Sequence, residues 1–358
     1  MKSQLENELA LARGLINEFI TDDPFPSQIR PEALRKAVRL YPMRGGKRLR
    51  PVLALWSCGA VGGDPVRALN AAAACEIFHN WTLVHDDIID CDEVRRGKPT
   101  CHMELRKEGS ARFGLLPGRA EKYGTDFAIL TGDVQQAWAS DVLLRSTDRG
   151  VSAETALAMA RRMQSFLNRE LISGEALDVE FEYRKVLPPK AEVIDMIRGK
   201  TGALLAFSAE CGAMVGLDTP DWTAKPAAAL AEFASELGYA FQLCDDLLGV
   251  YGDEATFGKP LCSDFREGKP TVLYLEALER LTESGRAELA ALMKRPAYTE
   301  ADIAKIRTLL EECGARAAVV RAAEESSDKA MANLSSLPEN KYRSLLEDLA
   351  EDLLKRNV

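Results

Sequence analysis

Apolar residues recur three and four positions apart along almost the whole chain, and strand-like alternation is scarce. That spacing predicts helices over 3–20, 31–40, 48–61, 66–90, 124–144, 153–182, 190–215, 227–251, 271–281, 284–294, 300–313, 315–334 and 339–356. Breakers separate them: Pro24 and Pro26, Gly62-Gly63, Pro117-Gly118, Pro188-Pro189, Pro220, Pro260 and Pro296. Thr299, three residues before Asp302, has the spacing of a capping box. The segments 203–217 and 227–250 are apolar around most of their circumference, so they are expected inside a large all-α bundle whose inner helices line a cavity. No Gly/Ser-rich or charge-rich linker divides the chain, and 1–358 reads as one domain. The segment 110–123, with Pro117 and Gly118, reads as a surface loop.

Composition narrows the class without naming an activity. The chain has 358 residues, 46% hydrophobic and 28% charged, with a net charge of −9. A basic patch supplies most of the affinity for nucleic acid, so this balance argues against such a partner. Eight cysteines are scattered without a CxxC pair, which reads as free thiols in a reducing compartment. The opening Met-Lys-Ser-Gln-Leu-Glu-Asn-Glu lacks the apolar core of a signal peptide. The longest apolar stretch, 203–217, is short for a bilayer and contains Glu210, so no stable membrane insertion is expected. The expected location is the cytoplasm.

Two acidic clusters carry the candidate chemistry. In Leu83-Val84-His85-Asp86-Asp87-Ile88-Ile89-Asp90, Asp86 and Asp90 share a helix face and Asp87 flanks it. Three neighbouring carboxylates repel one another unless a cation binds, and oxygen-only ligands without thiolates suit Mg²⁺. A solvated acidic helix end is the alternative. Asp245-Asp246, within 241–253, repeats the theme late in a second apolar helix; the two clusters could face each other across a cavity and hold metal ions around one diphosphate. Basic and flexible residues occur at 45–51 (GGKRLRP), a plausible anion site at a helix start, at Arg95-Arg96-Gly97-Lys98, and as Lys200-Thr201-Gly202, Gly258-Lys259-Pro260 and Gly268-Lys269-Pro270. No GxxxxGK[ST] phosphate loop occurs, and the three histidines, His79, His85 and His102, lack zinc-site spacing.

The ordered set GGKRLRP, LVHDDIIDxDxxRRGKPTxH, KTG, FQLxDDLLGxxGD and GKPxxSDFxxGKPT resembles the trans-prenyltransferase (polyprenyl synthetase) family, over roughly residues 40–275. The resemblance implies an isoprenoid synthase-like helical fold and a homodimer. It implies a reaction joining isopentenyl diphosphate head-to-tail to an allylic diphosphate, with three Mg²⁺ per site. Asp86, Asp90 and Asp245 would be metal ligands, supported by Asp87 and Asp246. Arg95 would contact the allylic diphosphate, and Lys200, Thr201, Gln242, Lys259 and Lys269 would line it. Gly46, Lys47, Arg50, His79 and Arg96 would form the metal-free isopentenyl diphosphate pocket. His85, beside Asp86, is expected to orient a carboxylate. Asp178 of Gly174-Glu175-Ala176-Leu177-Asp178 is expected to act through its neighbours.

Departures from the family pattern are Gly249 in place of a third Asp, Glu175 in place of Gln, and Gln135-Gln136 where leucines are common. None removes an expected metal ligand. Phe78, Trp81 and Thr82 lie below Asp86, Trp81 by about 7.5 Å of helix rise, at the level where the family sets chain length. A bulky Trp81 and a small Thr82 imply a C15–C20 product, geranylgeranyl diphosphate favoured. A terpene cyclase or a non-catalytic subunit of a heteromeric synthase are the rival readings. The first needs a second motif not visible here, and the second usually lacks one of the two Asp clusters.

Overall fold

The computed structural model describes residues 2–252 and 260–355. Apart from a two-residue antiparallel hairpin (β1, Val94–Arg95; β2, Lys98–Pro99), the regular structure among the described residues is helical. These residues gather into two compact units. The first comprises Met1–Arg161, Ser208–Ala227 and Asn340–Tyr342, and the second Arg162–Phe207, Ala228–Glu339 and Arg343–Val358. All but one of the boundaries fall within helices, the exception being Glu339/Asn340, and each unit is built from separated segments, so no linker composition could mark them.

In the first unit, α1 (Lys2–Asp22), α2 (Glu32–Leu40), α3 (Leu49–Ala60), α4 (Leu69–Ile89), α5 (Cys101–Phe113) and α6 (Pro117–Leu144) pack together. From Leu69 to Phe78, α4 is buried, because its side chains there are almost all apolar and its partners α3 and α6 cover it. Each such Leu, Ile or Phe contributes about 1.5–3 kcal/mol of burial. Glycines set two close approaches. A Cβ at Gly124 would lie 3.0 Å from the Arg106 backbone nitrogen, so α6 can lie flush on α5. One at Gly212 would lie 3.0 Å from Ala54 Cα, so α10 (Ala203–Leu217) touches the α3 backbone. The expected loop over 110–123 is not one: α5 runs to Phe113 and α6 starts at Pro117, a residue suited to the first helical turn. Helix α5 itself escaped the periodicity, because only Cys101, Leu105 and Gly109 are buried along it.

Helix α7 (Ala153–Arg162) continues through a π turn, Met163–Leu167, into α8 (Asn168–Tyr183). In the second unit, α9 (Lys190–Ile197) passes through another π turn, Arg198–Gly202, into α10. Helix α11 (Lys225–Tyr251) follows, then α12 (Ser263–Glu267), α13 (Val272–Arg280), α14 (Glu283–Ala290), α15 (Glu300–Glu312), α16 (Ala315–Ser335) and α17 (Lys341–Lys355). The core of this unit includes Phe181, Val193, Leu243, Leu247, Leu273, Leu310 and Val319. Thr299 and Asp302 form the expected capping box at the start of α15. Among the described residues no helix is long and apolar enough to cross a membrane.

Candidate active site

Three aspartates crowd the last turn of α4, where the helix macrodipole is itself negative, so the α4 terminus attracts cations. The three do not share one environment. Asp87 is fully buried: the Tyr41 hydroxyl donates to its Oδ2, and Arg95 Nε donates to Oδ1 at 2.6 Å. The Asp87 carboxylate more than offsets what burial takes from Arg95, whose pKa rises. Burial and then Asp87 push the Tyr41 phenol up, so it remains a donor, and it accepts in turn from the Cys101 backbone N–H at 2.9 Å. Asp86 is half-buried and Asp90 exposed. Asp87 therefore braces the end of α4. Arg95, expected on the substrate, is held on Asp87.

The loop before α3 lies beside a cluster of cations. Arg96 Nη1 donates to the Gly45 carbonyl at 2.8 Å, and a Cβ at Gly46, where φ is +148°, would lie 2.8 Å from that nitrogen. Only glycine fits there. Lys47 and Arg96 are exposed. Arg50 Nε is buried and has no hydrogen-bond partner. Burial first, then Arg50, Arg96, Arg95 and Arg48 hold the His79 pKa well below its usual range, so its ring is neutral at pH 7. Of these arginines Arg95 is spent on Asp87, so the positive charge beside the neutral imidazole that is not already paired comes from Arg50 and Arg96. Arg48 is different: buried at 4% exposure, it binds Glu76 at 2.5 Å, the Pro42 carbonyl at 2.5 Å and Asn17 at 3.0 Å.

His85 does not orient a carboxylate. Its Nε2 sits 3.1 Å from the Ile129 carbonyl, and its ring fills the space a Cβ would take at Gly132 on α6. Further down α4, Phe78 is fully buried, Trp81 packs edge-on against it at 4.7 Å and against His85 at 5.9 Å, and Thr82 donates to the His79 carbonyl at 2.8 Å. Thr82 shares the i, i+4 row with Asp86 and Asp90.

In the second unit a cavity of about 200 Å³ is lined by Asp178, Lys200, Thr201, Gln242, Asp246, Asp264 and Lys269. Lys200 Nζ lies 2.5 Å from Asp178 Oδ2 and 2.8 Å from Glu175 Oε2. Burial opposes its charge, but Asp178 and then Glu175 outweigh this and raise its pKa. Gln242 Nε2 donates to Asp246 Oδ1 at 3.1 Å, while the buried Oδ2 has no hydrogen-bond partner. Burial first, then Asp264, and more weakly Asp245, drive the Asp246 pKa well above its usual range. A cation there would relieve that repulsion. Lys269 pairs with Glu267 at 3.1 Å. Lys259 lies outside the described residues.

These donor sets fit Mg²⁺. Among the described residues no three or more acidic, His or Cys side chains form a ready-made metal cage. Mg²⁺ needs none, taking one or two carboxylates and completing its shell from water and phosphate. Sequence reasoning missed Tyr41, whose contact spans 46 residues, and it passed over Asp264, though the GKPxxSDF run contains it. A larger groove of about 890 Å³ against α1, lined by Leu11, Leu15, Trp56, Val66 and Tyr342 among others, contains none of the motif residues.

Comparison with known proteins gives the same address. The polyprenyl synthetase family model matches residues 31–310. A short chain isoprenyl diphosphate synthase of Methanothermobacter thermautotrophicus is 36% identical, over 92% of each chain. The crystal structure of geranylgeranyl pyrophosphate synthetase from Pyrococcus horikoshii superposes with a TM-score of 0.84 at 33% identity, covering 98% of this chain and 99% of that one. Geranylgeranyl pyrophosphate synthase from Corynebacterium glutamicum, complexed with isoprenyl diphosphate and magnesium, gives 0.82 at 30% identity, again covering 98% and 99%.

Proposed function

The chain belongs to the polyprenyl synthetase family and is a prenyltransferase of the short-chain class, and on that premise we propose that it joins isopentenyl diphosphate to an allylic diphosphate, with geranylgeranyl diphosphate the favoured product. The observation that carries this reading is chemical contrast within the first unit. The acidic end of α4 needs cations to hold a diphosphate, whereas the Arg50, Arg96 and His79 cluster accepts one directly. A cyclase acting on one diphosphate has no use for the second.

In this reading Asp86 and Asp90 of the first unit would hold Mg²⁺ for the allylic diphosphate, and Asp245 of the second unit would hold Mg²⁺ as the family resemblance implies, with three ions per site. Those ions, when bound, neutralise charge growing on the departing diphosphate. The chain's own residues do the rest. Tyr41 and Arg95 fix Asp87, and so the angle at which the end of α4 presents Asp86 and Asp90. In the second unit Lys200 and Lys269, already paired with Asp178 and Glu267, are assigned to diphosphate as positioning groups, with Thr201 and Gln242 beside them and Lys259 assigned with them from the motif alone. Lys47 and Arg50, with Arg96 and His79, orient isopentenyl diphosphate so that its double bond attacks the allylic carbon as the C–O bond breaks. A proton then leaves from the new chain, the released diphosphate being the acceptor, so no protein base is assigned.

Apolar surface below α4 keeps water from the cationic carbon, and Trp81, Phe78 and Thr82 limit the tail. We assign the enzyme to the cytoplasm as a homodimer, a second copy covering exposed apolar residues such as Ile129 and Leu130 on α6. Incubation with Mg²⁺, isopentenyl diphosphate and geranyl or farnesyl diphosphate, followed by product mass analysis, tests the proposal. Elongation to C20 is expected. A cyclic hydrocarbon, or no product from the purified chain, would sink it.

A further inference from the structure

Glu175 stands where the family pattern has an uncharged Gln, and the fold brings it to Lys200. Glu175 and Asp178 are three apart on one face of α8. Gly174 lets that helix press on the π turn: a Cβ there would lie 2.8 Å from the Gly199 carbonyl carbon and 2.9 Å from the Met196 oxygen. Both carboxylates therefore reach one ammonium, at 2.8 and 2.5 Å, each with only 14% of its side chain exposed. With Gln at 175 the group would be neutral overall; with Glu it carries one net negative charge. The same cavity holds Asp246 and Asp264, and its other lysine, Lys269, is paired with Glu267.

We propose that Glu175 is a charge-setting and positioning residue for the allylic diphosphate pocket. It neutralises Lys200 and holds it against Asp178, so the pocket cannot retain a diphosphate with side chains alone. A diphosphate is taken up only together with divalent cations, and the pyrophosphate left after transfer is released once those cations go. Glu175 touches neither substrate nor metal; it acts through Lys200. This inference rests on the reading of the cavity as a diphosphate site.

The test is calorimetric titration of inorganic pyrophosphate into the full chain, in EDTA and in saturating Mg²⁺, for the native protein, E175Q, E175A and K200A. Removing one charge from a partly buried pocket facing a multiply charged anion should tighten pyrophosphate binding in EDTA by about tenfold or more in E175Q. The gap should narrow in Mg²⁺, and KM for the allylic diphosphate should fall together with kcat. E175A should move binding in EDTA the same way if E175Q does not fold. A merely structural role would lower the unfolding midpoint without a cation-dependent gap. A change in EDTA below about threefold in every folded Glu175 variant overturns the inference. If K200A leaves pyrophosphate affinity in Mg²⁺ unchanged, the diphosphate assignment of the cavity falls. If K200A weakens binding while the Glu175 variants track the native protein, only the role of Glu175 falls.

Discussion

Replacing Tyr41 by Phe isolates what holds Asp87. The ring stays, with its packing at 4% exposure, and only the oxygen goes. Two buried groups lose a partner: one carboxylate oxygen of Asp87 and the Cys101 backbone N–H. A hydrogen bond to a charged group contributes about 1.5–3 kcal/mol and a neutral one about 0.5–1.5 kcal/mol, so the expected loss is about 2–4.5 kcal/mol. For a unit of this size that corresponds to a fall in unfolding midpoint of roughly 5–15 °C.

Arg95 would then hold Asp87 from one side only, and the presentation of Asp86 and Asp90 should loosen. Thermal unfolding read beside a Mg²⁺ titration of elongation rate checks both halves: a lower midpoint and a severalfold higher half-saturating Mg²⁺. In a double-mutant cycle with Asp87→Asn, the two losses should fall short of additive by about 1 kcal/mol or more. A loss below about 0.5 kcal/mol with unchanged Mg²⁺ dependence would refute the bracing role.

Asp86→Ala or Asp90→Ala should lower elongation about a hundredfold or more while leaving the fold intact, as steady-state rates and circular dichroism would show. His79 has a folded pKa well below its ordinary value near 6.5. Below that value the unfolded chain binds a proton the folded one refuses, so stability falls as pH drops. His79→Gln should remove part of that slope between pH 7 and 5, measured by urea midpoints; an unchanged slope would contradict a neutral buried imidazole. Trp81→Ala should lengthen the product by about one isoprene unit, read by mass, and an unaltered carbon number removes Trp81 from the role.

Helix positions were legible because burial imposes its period on the residues: α4, α10 and α11 each bury long apolar runs. Helix α5 was not, because it packs through three small or apolar residues and presents charge elsewhere. The two π turns have no local signature either. They widen the helix where tertiary packing demands it, and one of them carries Lys200 and Thr201, which helical spacing alone would have placed elsewhere on the surface.

For the site, residue type and order identified the chemistry, but roles within a motif depended on contacts that sequence does not print. Arg48 and Arg50 stand two apart in GGKRLRP and are the same residue type; the family resemblance assigns Arg50 to the diphosphate and gives Arg48 no role. The backbone at Arg48 takes φ +52°, and its side chain turns inward to Glu76, Asn17 and Pro42. Breaking such a buried pair costs about 3–5 kcal/mol, so an activity assay alone would score Arg48 as a substrate ligand when it anchors the loop that bears one. Asp87 shows the same pattern, with its two oxygens taken up by Tyr41 and Arg95. What distinguishes a bracing group from a ligand is whether its hydrogen-bonding capacity is already spent inside the protein, and that depends on partners such as Tyr41, far away in sequence.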